Sequence, residues 1–345
     1  MRTRTLAILL VVAVVTTSGA LWSLMQRPEY SAAPAGELPA FPALRGAPDS
    51  VARVEMTTRE GGFVLLRDAA GWSTPDVGGY PVDGAKVGLL VSSLSDMRLV
   101  AEKTNKPALY ARLDLADPAS DPKSSARHII LTDAEGEVLV DAFIGKKLWR
   151  HTGGERTGTY LRRAGEAETW LASGGETIER DVSEWLDKRI IDIATSRLAR
   201  VELAPAGQAP YEILRDGEVE PFLLPALPEG GAVSESELNR LAGTLAGLKF
   251  EEVKPLAEAG LPAERNRGRF ITFDGLEILA EHARLGEEDW MVFAVSAGEN
   301  ASEEARAEAA TLHERLSPWA FRVPDYIAQR VATPLEELIE KAEGS

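Results

Sequence analysis

Ala52-Arg53-Val54-Glu55 recurs downstream as Ala199-Arg200-Val201-Glu202, and Leu66-Arg67-Asp68 recurs as Leu214-Arg215-Asp216. The two offsets, 147 and 148 residues, nearly agree. Self-similarity at a fixed spacing fixes an architecture before any single segment does. Each pair of matched segments is followed by a helix pattern. Val87, Leu90, Val91, Leu94 and Met97 fall at i, i+3, i+4, i+7 and i+10, one apolar stripe on a 3.6-residue helix, and Leu238, Leu241, Ala242, Leu245 and Leu248 repeat that spacing. Asp83 is placed to cap the first helix, and Ser234 with Glu237 reads as a capping box at the second.

Beyond each helix the pattern changes to alternating strands. Residues 127–132 and 138–144 flank Ala134-Glu135-Gly136, while 269–273 and 277–282 flank Asp274-Gly275, a strong hairpin signal because glycine tolerates positive φ. A strand over 158–163 is expected to pair with 168–172, and 289–295 holds the corresponding place later. Each copy closes on a tryptophan segment, Trp185-Leu186-Asp187-Lys188-Arg189 and Trp319-Ala320-Phe321-Arg322, so Arg53, Arg200, Trp185 and Trp319 serve as markers of the repeat. Strands, one amphipathic helix and then antiparallel hairpins give an α+β class rather than a parallel βαβ sheet. The second copy carries an insertion over 302–316 that reads as a mostly solvated helix with Leu312 and Leu316 on one side. Thr333-Pro334-Leu335-Glu336 starts a last short helix whose stripe, Leu335, Leu338 and Ile339, offers a docking face.

Working back toward the N-terminus, Arg2 and Arg4 precede an apolar run that includes Leu6, Leu9, Leu10, Val11, Val12, Val14, Val15, Leu21 and Trp22. About 20 apolar residues span a bilayer, and basic residues ahead of the run hold that end in the cytoplasm, which sends the rest of the chain outside it. Ser18-Gly19-Ala20 leaves a cleaved signal peptide as the competing reading. Residues 27–50, with Pro28, Pro34, Pro39, Pro42 and Pro48, read as an extended spacer, although Leu38-Pro39-Ala40-Phe41-Pro42-Ala43-Leu44 is apolar enough to dock on the first domain. The expected organisation is an N-terminal transmembrane helix followed by two tandem related α+β repeats with antiparallel sheets. The boundaries are 1–25 for the cytoplasmic tip and anchor, 26–50 for the spacer, 51–196 and 197–332 for the repeats, and 333–345 for the C-terminal helix.

The 345 residues carry 38 Lys and Arg against 54 Asp and Glu, a net charge of −16, with no cysteine. Such acidity repels a phosphate backbone and argues against a general nucleic-acid binder. Without cysteine there is no disulfide, thiolate metal site or thiol nucleophile. His313-Glu314 is half of the H-E-x-x-H zinc motif, but Ser317 stands where the second histidine belongs. His128 and His282 fall in strands and His151 in a loop beside Gly153 and Gly154. The nucleophile elbow, the phosphate loop and a dinucleotide fingerprint are missing from the sequence, and the carboxylate pairs read as solvated faces. Trp72, Trp149, Trp170 and Trp290, like Trp185 and Trp319, read as packing rather than as a sugar platform. No catalytic residue, cofactor or metal site is expected.

The anchor, the 38–44 segment, the Ala-Arg-Val-Glu strands, Trp185 to Ile193 and the ending Trp319-Ala320-Phe321-Arg322-Val323-Pro324-Asp325-Tyr326 together resemble a bacterial family of membrane-anchored proteins, the domain of unknown function numbered 4340. The resemblance runs from about residue 6 to residue 341. It implies residence at the bacterial inner membrane with the folded part in the periplasm, and companionship with ABC exporters of the gliding-motility type. The expected function is that of a non-enzymatic accessory subunit that docks on an ABC-type permease or its auxiliary subunit. The alternative is a periplasmic module holding a lipid or glycan in a cleft between the repeats.

Overall fold

The computed structural model describes residues 38–148, 158–174 and 178–343, with side chains through Ile339. The whole expected anchor, Leu6 to Trp22, and Trp149, His151, Gly153 and Gly154 lie outside the described residues. No described helix is long and apolar enough to cross a membrane. The chain forms two compact units: one runs through Ser73 and resumes over Asp83–Trp185, and the other takes Thr74–Val82 and everything from Leu186 onward.

In the first unit α1 (Pro42–Gly46) and a 3-10 turn over Pro48–Ser50 lead into β1 (Val51–Thr58), β2 (Gly61–Asp68) and β3 (Gly71–Thr74). The short β4 (Tyr80–Pro81), in the segment that clusters with the second unit, precedes α2 (Gly84–Ser95) and β5 (Arg98–Glu102). A long connector then reaches β6 (Arg127–Asp133), β7 (Val138–Leu148), β8 (Gly158–Arg163) and β9 (Thr169–Ser173). Leaving β4 aside, the strands of this unit run in the order β3-β2-β1-β6-β7-β8-β9-β5, and the pairs described in register are antiparallel.

The second unit holds β10 (Arg189–Ile191), β11 (Leu198–Ala204), β12 (Tyr211–Leu214), α3 (Glu235–Ala242), β13 (Leu248–Lys249) and β14 (Glu252–Pro255). After these come β15 (Asn266–Thr272), β16 (Leu276–Leu285), β17 (Glu288–Ala297), α4 (Glu303–Leu316), β18 (Trp319–Arg322), α5 (Asp325–Ala332) and α6 (Leu335–Glu343). Its main sheet runs β12-β11-β15-β16-β17-β18-β14. From its second position onward the first sheet has the same order.

The register gives the recurring letters a physical meaning. On β1, Val51 opposes Asp133 and Arg53 opposes Thr132, so Ala52 is an extra residue. On β11, Leu198 opposes Thr272 and Arg200 opposes Ile271, so Ala199 is extra in the same way. Each Ala-Arg thus straddles a β-bulge, which bends and twists the strand and shifts its alternation by one. Val51, Val54 and Met56 are buried on one strand; Leu198, Val201 and Leu203 are buried on the other. Beyond the bulge, Arg53 pairs with Glu55 at 2.6 Å and Arg200 reaches Glu202 at 3.8 Å and Glu212 at 3.5 Å. These pairs are roughly two-fifths exposed and contribute about 0–1 kcal/mol, so the motif encodes strand geometry.

Arg67 and Arg215 have equivalent tasks as well. Arg67 Nη1 donates to the Asp49 carbonyl at 3.1 Å, within the 3-10 turn that enters β1. Arg215 donates from Nη2 to the carbonyls of Thr195 and Ser196, at 2.8 and 2.5 Å, in the 3-10 turn that enters β11.

The α2 stripe is buried as expected, with Val87, Leu90, Val91, Leu94 and Met97 all at or below 8% exposure, and Asp83 Oδ1 accepts from the Ala85 N–H at 3.0 Å. Each such apolar side chain contributes about 1.5–3 kcal/mol. The second stripe is buried too, but the helix gives way to a 3-10 turn after Ala242 and the capping box does not form. Ser234 Oγ lies 2.6 Å from Ser236 Oγ and Glu237 is taken by Arg240, leaving neither side chain for the backbone.

Two further expectations change, and one helix is new. The end of the spacer is not extended: Pro42 sits at the N-terminus of α1, and Ala40, Phe41 and Leu44 are buried. The Ala40 N–H donates to Met97 O at 2.9 Å, and Arg163 donates to Ala40 O from Nε at 2.9 Å and Nη2 at 2.7 Å. Trp185 and Trp319 do not occupy matching positions. Trp319 begins β18 opposite Pro255, and Trp170 stands on β9 opposite Glu102, so Trp170 is the counterpart of Trp319. Trp185 instead ends a 3-10 turn, buried 6.3 Å from Phe63. Finally, α5 was not legible as a helix; Pro324 precedes it and Ile327, Ala328 and Val331 form its buried side.

The insertion helix α4 is capped by Ser302 Oγ, which accepts from the Ala305 N–H at 3.0 Å; it packs on β17 and buries Ala305, Ala309 and Leu316. Arg197 ties it down through Glu308, at 3.0 and 2.8 Å, and through Asp274 at 2.9 Å. The stripe of α6 is used internally, with Leu338 fully buried, and Thr333 Oγ1 donates to Gln329 O rather than capping the helix. Each unit also covers its sheet with a second short helix. α1 packs against α2 and β7, while α5 packs against α3 and β16; the flank before the strands supplies it in one unit and the flank after them in the other.

Candidate functional site

The 3-10 turn at Pro48–Ser50, the end of β2, the start of β3 and the exposed side of α2 enclose an open cleft of about 460 Å³ in the first unit. Its walls differ in chemistry. Trp72 supplies a half-buried ring, Arg67 and Asp49 supply charge, and Ser92, Ser95 and Asp96 supply polar groups from the last turn of α2 and its C-cap. Gly84 and Gly88 keep the helix surface bare between them; a Cβ on Gly84 would lie 3.5 Å from Trp72 Cδ1.

At the equivalent place in the second unit the arginine is covered. The guanidinium of Arg215 lies 4.6 Å from the ring centre of Phe222 and 5.5 Å from that of Phe273, and Phe222 is 3% exposed. Burial holds Arg215 below the ordinary guanidinium range. The loop after β12 thus fills a position that stays open beside Arg67. Stacking on Trp72 and hydrogen bonding to Ser92, Ser95, Asp96 and Arg67 is the chemistry on offer there.

The described histidines serve the framework. His282 is buried on β16 between Asn266 on β15 and Asp289 on β17, at 2.9 and 2.8 Å. The Ala206 N–H donates to Asn266 Oδ1 at 2.8 Å, which turns the amide Nδ2–H toward His282 Nδ1. His282 Nδ1 is therefore an acceptor, and the ring proton sits on Nε2, facing Asp289. The row joins three neighbouring strands through side-chain hydrogen bonds and so supports their register. His128 lies 2.7 Å from Asp141 and stacks on Phe143 at 4.3 Å, with Arg162 4.0 Å from the same ring. His313 is exposed on α4, where its Nδ1 accepts from the Val295 N–H at 3.5 Å. Among the described residues no group of three His, Asp or Glu side chains is placed to hold a metal ion.

The sequence singled out Arg53, Arg200, Trp185 and Trp319 as repeat markers; the structure places the two arginines at equivalent bulges and the two tryptophans at different positions. The Arg67 cleft was missed. Its signals were the second recurring triplet and the helix face Gly84, Gly88, Ser92.

These observations define a mixed helix and strand protein with antiparallel sheets and an open polar-aromatic cleft. The model of the family Domain of unknown function (DUF4340) matches residues 72–264, more than half of the 345, and the chain belongs to that family. No curated protein and no solved structure matches it.

Proposed function

We propose that this protein is a non-enzymatic accessory subunit, tethered to the bacterial inner membrane by its N-terminal apolar segment and displaying a duplicated α+β unit in the periplasm. Its partner in this reading is an ABC-type permease or that permease's auxiliary subunit. The observation that carries the reading is the pair of sheets sharing strand order, bulge and entry-turn arginine. A repeated framework whose recurring residues serve geometry, with side surfaces that have diverged, suits an interaction scaffold. The basic-flanked apolar run supports the tether. The test is crosslinking in native membranes followed by affinity purification of the full chain. Repeated recovery of a transporter component is expected; repeated recovery of none would overturn the reading.

The Trp72 cleft favours a second reading, a module that binds a glycan by stacking and hydrogen bonds. It differs from the expected inter-repeat site in lying within the first unit. Glycan binding lost in Trp72→Ala would favour this reading over the scaffold.

A further inference from the structure

In the second unit α3 packs against α5. A cleft of about 410 Å³ beside them is lined by Arg240, Tyr326, Gln329, Arg330, Thr333 and Glu337. Two guanidiniums in one cleft repel each other, so other contacts must hold them there. Arg240 gives Nε and Nη2 to Glu237, at 2.9 and 2.8 Å. Arg330 gives Nη1 to the Gly243 carbonyl at 3.2 Å and lies 5.9 Å from the centre of the Tyr326 ring, while its Nε is buried without an acceptor. Arg240 Nη1 and Arg330 Nη2 are left with no acceptor among the described residues.

The rest of the lining is also rich in donors. Gln329 and Tyr326 are exposed and bring an amide and a phenol, and the Thr333 hydroxyl is spent on Gln329 O. Glu337 is the one carboxylate among the lining residues, and it is already engaged. Burial, and then the charge of Arg240, hold Arg330 below the ordinary guanidinium range. Its charged form therefore carries a cost that an anion in the cleft would remove.

We propose that this cleft binds the phosphate group of a phosphate ester. The two-nitrogen fork of a single arginine takes a planar carboxylate and a phosphate alike. Here each arginine has one terminal nitrogen to give, from a different helix, which suits a tetrahedral oxyanion whose oxygens point in different directions. The volume exceeds what bare phosphate fills, and the Tyr326 ring, with the residue 59% exposed, offers the organic part of the ester a face to rest on. This site is independent of the transporter reading and of the Trp72 cleft.

The test is calorimetric titration of the full chain with inorganic phosphate, glycerol 3-phosphate and glycerophosphoglycerol at constant ionic strength. Saturable binding is expected, weakened at least tenfold in Arg240→Gln and in Arg330→Met and unchanged in Arg284→Gln, an exposed arginine near the end of β16. Tighter binding of glycerol 3-phosphate would identify a soluble monoester as the ligand, and tighter binding of glycerophosphoglycerol a lipid-type phosphodiester; either supports the site. Arg240 is tied only to Glu237 on its own helix, so Arg240→Gln keeps the test valid if Arg330→Met fails to fold. No saturable heat with any of the three probes, or equal binding by Arg240→Gln and the parent, would overturn the proposal.

Discussion

Leu44→Ala tests whether the proline-rich entry segment belongs to the fold. Leu44 is fully buried in α1, a five-residue helix too short to persist without its packing. Truncating a buried leucine to alanine costs about 2–5 kcal/mol, the sum of lost transfer energy and the cavity left behind. The lower half of that range applies here, about 3 kcal/mol, because α1 is only five residues long and can shift to close part of the cavity. Against a total stability of roughly 5–15 kcal/mol this is a large fraction. With a urea dependence of about 1–3 kcal/mol per molar, the midpoint of the first unit should fall by roughly 1–3 M. Circular dichroism during urea titration reads it, with Leu38→Ala as control because Leu38 is 58% exposed. Arg163→Met should shift the midpoint in the same direction by a smaller amount, since it frees the Ala40 carbonyl that Arg163 holds twice. A Leu44→Ala shift no larger than that of Leu38→Ala would show that 38–46 is a linker resting on the surface, and the account of α1 would fall.

Gly275→Ala should lower the melting temperature by several degrees, because φ is +89° and the new Cβ would lie 2.6 Å from Ala301 Cα; strain and overpacking together cost about 2–4 kcal/mol, and an unchanged melt would refute this. Tyr80→Ala should destabilise the second unit by about 3 kcal/mol, since the ring packs edge-on 4.9 Å from Trp319 and 5.4 Å from Phe250; tryptophan emission that neither shifts nor loses midpoint would contradict that packing. Burial pushes the Asp274 carboxyl up, but hydrogen bonds from the Thr272 hydroxyl and from Arg197 outweigh it and hold it below the ordinary range. A carboxyl depressed in the folded state stabilises above its unfolded pKa and loses that contribution as pH falls through the folded value. Arg197→Met should therefore lower the midpoint above the unfolded pKa, by under about 1 kcal/mol because the pair is partly exposed, and that deficit should shrink as pH falls through the folded value; superimposable midpoint–pH curves for the two proteins would rule this out.

Much of the framework was legible because its signals are local. The α2 stripe and its Asp83 cap depend only on helical spacing, and the Asp274-Gly275 turn depends only on backbone freedom. Ala52-Arg53 and Ala199-Arg200 were visible as repeated letters, but what they encode, an extra residue in a strand, needed the partner strands to define the count. Composition misled at 42–50, where prolines that usually mark an extended tether instead start a helix and a 3-10 turn. Letter matching also misled at Trp185 and Trp319, where strand pairing assigns Trp170 as the counterpart. The capping box failed because Ser236 and Arg240 compete for Ser234 and Glu237. The Arg67 cleft left only the second recurring triplet and a bare helix face as marks in the sequence, and the Arg240–Arg330 cleft left none, since their walls come from segments tens of residues apart.

The passage of Thr74–Val82 into the second unit carries a consequence for how the chain can be cut. The polypeptide passes from one unit to the other after Ser73, after Val82 and after Trp185. A fragment beginning at Leu186 would lack Tyr80, whose hydroxyl donates to Asp187 O at 3.2 Å, and Pro81, whose carbonyl accepts from the Asp187 N–H at 3.3 Å. Such a fragment would leave the edges of Phe250 and Trp319 without their aromatic neighbour. The second half is not a portable cassette, and a gene split at the apparent boundary would encode one incomplete unit; the shortest piece expected to refold the second unit's core must keep residues 74–82 covalently or receive them as a peptide.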